Sequence, residues 1–384
     1  MKGYLYRIAS FSLTFICLMV LENGVYASQV AMVASSGSGE VVFINIESAQ
    51  VIGTLKLGYP FPHRIAVTPD GGKAIIAHSQ GYISFIDPAA MAGLNTLELL
   101  RGPEEMHTTP ISNEFHDVAI TPDGATAIVT EGNEWGQLFF FVMATMAQSG
   151  STLYVGDENR RVKIRSDGTK AYVLDEGTIH SIRLSDRVNE GVLCFQPTGE
   201  NETSKFDLLP DNTRAIMVGP DNWVFLIDMS TCSLLDSVNM NESVHLGTAD
   251  VVVSPDGATA IVTNFEYQGI TFVSIGATSL TVLETIDVGG GAYGVAFTPD
   301  GQKAVVTISD KSLVAIVDVA TREVIATISE GLGLAPSGVV IVDMAQVPSD
   351  PTCECDLNAD GRCDMLDWFQ FGQDWGRTDC PLCP

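Results

Sequence analysis

Positive charge is scarce in this sequence. Its 20 lysines and arginines stand against 47 aspartates and glutamates, a net charge of −27 over 384 residues. Affinity for nucleic acid comes largely from Lys and Arg displacing counterions from phosphates, so a chain this acidic is not expected to bind it. Anionic membrane surfaces are disfavoured for the same reason, whereas cation binding is favoured. Long hydrophobic runs are missing after Leu21, so no later helical span of about 20 apolar residues is expected. Cysteine is sparse through most of the chain, with Cys194 and Cys232 alone between residues 28 and 352. Catalytic signatures are missing too. Neither a zinc-protease helix nor a nucleophile elbow occurs, and no residue is assigned a catalytic role.

The one strong apolar run lies at the start. Lys2 and Arg7 precede IASFSLTFICLMVL, which stops at Leu21, and the small residues Val25 and Ala27 follow at cleavage-site spacing. Residues 1–27 are therefore expected to be a secretory signal peptide, placing the mature chain outside the cell or on its surface. Its removal leaves a net charge of −28.

The rest of the chain is written in turns. VTPDGGKAIIA (67–77), ITPDGATAIVT (120–130), IRSDGTKAYVL (164–174), LLPDNTRAIMV (208–218), VSPDGATAIVT (253–263) and FTPDGQKAVVT (297–307) are variants of one pattern. Its aspartates, Asp70, Asp123, Asp167, Asp211, Asp256 and Asp300, are 53, 44, 44, 45 and 44 residues apart. Proline presets one turn dihedral, aspartate bonds back to turn amides, and glycine accepts positive φ. Alternating apolar residues before each turn make a half-buried strand. A second strand such as KAIIA follows, then a third such as ISFID (83–87), VFLID (224–228) or VAIVD (314–318), and a fourth such as EVIATI (323–328). Four antiparallel strands repeating every 44 residues or so indicate propeller blades.

The ends of the array complete each other. Residues 30–57 supply the last three strands of a blade, and SGVVIV (337–342) supplies a first strand alone, Gly338 lying 44 residues after Gly294. Joining them makes a seventh blade and leaves no free sheet edge. The expected fold is all-β, a seven-bladed propeller of four-stranded blades over 28–346, closed by its terminal strands. The link from Pro88 to Glu114 is nine residues longer than the repeat allows, and its RGPEEMHTTPISNEF portion is expected to project as a loop.

Residues 30–345 resemble the YVTN-type β-propeller repeats of secreted and surface-layer proteins. The likeness rests on the S/T-P-D-G turn, the A-x-V-T/A strand and the F/V-x-D end of the third strand. It implies a fold rather than an activity, since relatives of this repeat include adhesins and lactonase-like enzymes.

Repeat alignment locates the channel mouth. Innermost strands begin at His63, His116, Arg160, Ser204, Ala249, Tyr293 and Ser337, followed by Arg64, Asp117, Arg161, Lys205, Asp250, Gly294 and Gly338. Loops between second and third strands open on the same face, with His78, Glu131, Trp135, Asp175, Trp223 and Asp310 among their residues. His63, His116, Arg160, Tyr293, Trp135 and Trp223 are the candidate ligand-binding residues, for a protein, glycan or small ligand. An enzyme would use His63 and His116 as metal ligands or an acid/base pair.

The composition changes after Met344. Residues 347–384 hold a short linker and five cysteines, Cys353, Cys355, Cys363, Cys380 and Cys383, which in an exported chain staple a module too small for its own core. Within it, DLNADGRCDMLD (356–367) has calcium-loop spacing. Asp356, Asn358 and Asp360 offer side-chain oxygens, Gly361 the sharp bend, and Arg362 its carbonyl. Asp364 and Asp367 complete a hard-oxygen shell suited to Ca²⁺. This loop and the short helix expected after it resemble one repeat of a type I dockerin. The resemblance implies attachment to a cohesin-like or other envelope partner; one repeat is present, and loop positions ten and eleven are Met365 and Leu366.

Overall fold

A computed structural model describes residues 29–99, 115–132, 136–195, 205–241, 247–267 and 269–344. The signal-peptide segment, Trp135 and the whole 347–384 module, with its calcium-loop residues, lie outside the described residues.

Seven antiparallel sheets form the propeller. Blade 1 joins the two ends of the array, with Pro336–Asp343 innermost and paired to Gln29–Ser35 in the register Val30↔Val342. Blades 2 to 7 begin at Pro62–Val67, Phe115–Ile120, Asn159–Ile164, Lys205–Leu208, Thr248–Val253 and Ala292–Phe297. Closure between the ends is therefore as expected.

Two details depart from the repeat pattern. Part of the long link is not a loop: Ala92–Glu98 pairs with Tyr82–Asp87 as the fourth strand of blade 2. The polar portion from 101 to 114 lies outside the described residues. In blade 3 the fourth strand is split into Ala147–Gln148 and Leu153–Tyr154, both on Gln137–Val142. Between the two pieces Gly150, at φ 73°, turns the chain out of the extended run.

Burial follows strand position. Second strands such as Ala74–His78 are buried at every residue, because neighbouring blades cover both faces. Fourth strands such as Gln50–Lys56 alternate exposed and half-buried positions. The core is accordingly a ring of apolar layers between blades, such as Ile75, Phe85, Phe115, Val129 and Phe141 between blades 2 and 3.

The repeated motif residues stitch the blades. In four turns Thr68, Thr121, Ser254 and Thr298 donate to Asp70, Asp123, Asp256 and Asp300 at 2.5–2.6 Å. At four turns the proline packs against the next turn's glycine, as Pro69 on Gly124 and Pro255 on Gly301, where a Cβ added to the glycine would lie 3.4 Å from the proline Cδ. Blade 4 carries Ser166 where the proline belongs, and blade 5 carries Asn212 where the glycine belongs. There the packing is replaced by hydrogen bonds, Ser166 N to Asn212 Oδ1 at 2.8 Å and Asn212 Nδ2 to Ser166 Oγ at 2.5 Å. Two departures from one motif are thus a single matched exchange. Two threonines ending A-x-V-T strands span a seam as well: Thr263 and Thr307 donate to the Tyr293 and Ser337 carbonyls of the next blade at 2.9 and 2.8 Å.

Candidate ligand-binding site in the central channel

Innermost strands turn every second side chain toward the axis, so one register position of seven blades makes one ring. The ring after the mouth is Arg64, Asp117, Arg161, Lys205, Asp250, Gly294 and Gly338. Its two glycines lie where innermost strands nearly touch: a Cβ on Gly294 would strike the Ser337 carbonyl, and one on Gly338 the His63 carbonyl.

The other five residues bar the channel. Asp250 takes Arg64 Nη1 on Oδ2 at 2.9 Å and Arg161 Nη1 on Oδ1 at 2.8 Å, joining blades 2, 4 and 6 across the axis. Arg161 Nε also lies 3.6 Å from Asp117 Oδ2. Asp117 Oδ2 in turn accepts the Val162 amide of the next blade at 3.0 Å, and Asp207, one ring lower, accepts the Val253 amide at 2.9 Å. These carboxylates are therefore occupied by neighbouring blades. Burial works against the charge on Asp250, but Arg161 and then Arg64 overcome it and hold the group at about 2.

Lys205 is the surplus cation of this layer, the third beside Arg64 and Arg161 against Asp117 and Asp250. Its ammonium makes no hydrogen bond or ion pair among the described residues. Burial first, then repulsion from Arg64 and Arg161, brings it down to about 8.

On the mouth side lie His63, His116 and Tyr293. The His63 ring meets Tyr293 edge-on at 5.8 Å, and the Arg64 guanidinium lies 5.8 Å from the same tyrosine's ring centre. Burial, with Arg64, His116 and Lys205 adding to it, holds His63 at about 3, so it is neutral at ordinary pH. The His116 ring covers Gly132, where any Cβ would overlap it. Three of the predicted ligand residues, His63, His116 and Tyr293, thus converge. Arg160 is ion-paired with Glu158 of its own approach loop. Trp223 opens the third strand of blade 5, two strands out from the channel lining, and stacks on Phe225 at 6.3 Å.

Loop groups mostly hold their own loops. His78 is buried, with Nδ1 3.0 Å from the Pro60 carbonyl and Nε2 2.9 Å from Ser84 Oγ, and burial keeps it at about 4. Asp175 accepts the Glu158 amide and Asp310 the Gly291 amide, both at 2.8 Å.

Below the charged layer is a cavity of about 470 Å³ that sequence reasoning did not anticipate. Arg64, Asp117, Arg161 and Asp250 roof it, and Ala119, Val252 and Ala296 leave it open where larger residues would fill the axis. It faces the P-D-G turns, the opposite end from the predicted mouth. Ala119, Val252 and Ala296 are legible at this register in the sequence; that a void lies among them follows only from ring closure.

No protein-family model and no curated protein matches this sequence. Solved structures do. A functionally unknown protein from Desulfotomaculum acetoxidans superposes with a TM-score of 0.67 at 16% identity, over 81% of this chain and 98% of its own. A proposed 6-phosphogluconolactonase from Bacteroides fragilis gives a TM-score of 0.65 at 15% identity, over 83% and 99%. Another from Bacteroides uniformis gives 0.67 at 14%, over 82% and 100%. The likeness is one of fold.

Proposed function

We propose that this chain is an exported, non-catalytic propeller that binds a small anionic ligand at the mouth of its channel. Lys205 carries the reading: a half-buried ammonium with no ion pair of its own, beside the neutral His63 imidazole. An anion there supplies the missing partner and restores the lysine's ordinary basicity. Catalysis is the poorer reading because the carboxylates of this ring are bound to arginines or backbone amides, and His63 is too weak a base near neutrality. The resemblance of its repeats to YVTN-type repeats supports such a surface-exposed binding module. The tail belongs to the same proposal: Asp356, Asn358, Asp360, Arg362, Asp364 and Asp367 bind Ca²⁺ and order an attachment module for a cohesin-like or envelope partner.

The experiment is calorimetric titration with sugar phosphates, uronates and dicarboxylates, against neutral sugars of the same size. Saturable binding of an anionic compound that disappears in Lys205→Met supports the proposal; equal binding by the variant refutes it. The second reading, a lactonase-like hydrolase, is favoured by the two Bacteroides neighbours. Lactone hydrolysis that falls at least a hundredfold in His63→Ala and His116→Ala would replace binding with catalysis.

A further inference from the structure

One position recurs in six of the seven blades with consistent geometry. The turn between third and fourth strands contains a non-glycine residue at positive φ: Ala49, Met91, Met146, Arg187, Cys232 and Arg322, with φ from 49° to 58°. That backbone throws the residue back onto the preceding blade's outer sheet. Met91 lies on Gly53 of blade 1, and the Met146 carbonyl accepts from Asn95 of blade 2 at 3.2 Å. Arg187 donates to Ser149 Oγ of blade 3 at 2.9 Å, and Arg322 to Glu284 of blade 6 at 3.0 Å. At the seam between blades 4 and 5 the position is Cys232, and what it meets is Cys194, on the fourth strand of blade 4. Cys194 is buried in an apolar cluster with Ile179, Ile227 and Met229, and Cys232 packs against the same cluster.

We infer that Cys194 and Cys232 are an oxidation site, closing a disulfide across the rim of blades 4 and 5. This inference is independent of the channel reading. Cys194 is fully buried and Cys232 partly exposed, which sets the order of events. The Cys232 thiolate attacks a low-molecular-weight disulfide, forming a mixed disulfide and releasing one thiolate. The Cys194 sulfur, having lost its proton to solvent base, then attacks Cys232 Sγ and expels the second thiol. Two protein thiols are oxidised and one small disulfide is reduced to two thiols, so atoms and electrons balance. Burial raises the Cys194 thiol and slows the second step, while the shared apolar cluster holds Cys232 close by. The same seam lacks the proline–glycine contact found at other turns, and the chain from Cys194 runs on to Lys205 in the channel. A bond here restrains the blade that supplies the surplus cation.

The test uses the full chain equilibrated with oxidised glutathione, alkylated, and digested with trypsin, which cuts between the two cysteines after Lys205 and Arg214. The expected product is a linked peptide pair containing Cys194 and Cys232. Oxidation should also raise Tm by roughly 5 °C more in the parent than in Cys232→Ser, a difference that cancels any effect of the tail cysteines. Alkylation of both residues in most molecules, or linkage of Cys232 to a tail cysteine, overturns the inference. Cys194→Ala gives a second control, expected to leave Cys232 singly glutathionylated.

Discussion

Replacing Asp250 with asparagine tests the charged layer directly. The carboxylate accepts one guanidinium on each oxygen, at 2.9 and 2.8 Å, and is almost fully buried. An amide keeps one acceptor and turns an NH2 donor toward the other arginine, leaving a buried cation without a counter-charge. Breaking one side of a buried ion pair in this way costs about 3–5 kcal/mol, a large share of the roughly 5–15 kcal/mol that stabilises a typical domain. Urea unfolding followed by far-UV circular dichroism should show the midpoint fall with an unchanged slope. Acid adds an independent check. Asp250 is held at about 2 against its ordinary 3.8, so its contribution is complete above pH 3.8 and disappears as pH falls through 2. That shift corresponds to about 2 kcal/mol, and the variant should lack this portion of the parent's acid sensitivity. A loss below about 1 kcal/mol, or identical acid profiles, would refute the claim that Asp250 bridges the blades.

Other perturbations give distinct outcomes. Lys205→Met should stabilise the propeller by about 1–3 kcal/mol near pH 7 in chemical unfolding, because a desolvated charge repelled by Arg64 and Arg161 is removed; the parent should gain stability between pH 8 and its ordinary 10.5, where this lysine discharges, and the variant should not. Ligand binding should be accompanied by proton uptake near pH 8, read by calorimetry in buffers of different ionisation enthalpy, and should weaken above that pH. Ser166→Pro and Asn212→Gly should each lower the unfolding midpoint, while the pair should recover most of the loss, since together they recreate the contact of the other turns. Chelation should speed proteolysis within 347–384 and leave the propeller intact, as expected of a metal that binds only the folded tail.

The position of Lys205 shows what kind of information each level carries. Its place in the second ring is legible from repeat spacing, as are the identities of Arg64, Asp117, Arg161 and Asp250 beside it. Which arginine meets which aspartate is not, because Arg64 and Asp250 are 186 residues apart and meet across the axis rather than between adjacent blades. The histidines illustrate the same limit: sequence brings His63 and His116 side by side but is silent on the burial that keeps His63 neutral. Trp223, expected in a loop at the mouth, begins the third strand of its blade, two strands out from the channel lining, because distance from the axis depends on strand order within the blade.

By itself, then, the sequence determined the blade, the number of blades and the way the ends join, because those depend on local turn chemistry and a strict strand period repeated along the chain. Only the closed ring decided the bridges across the channel, the cavity beneath them, and the meeting of Cys194 with Cys232. Each of these joins residues from different blades, and their separation is set by how sheets stack around an axis, a geometry that no single repeat encodes.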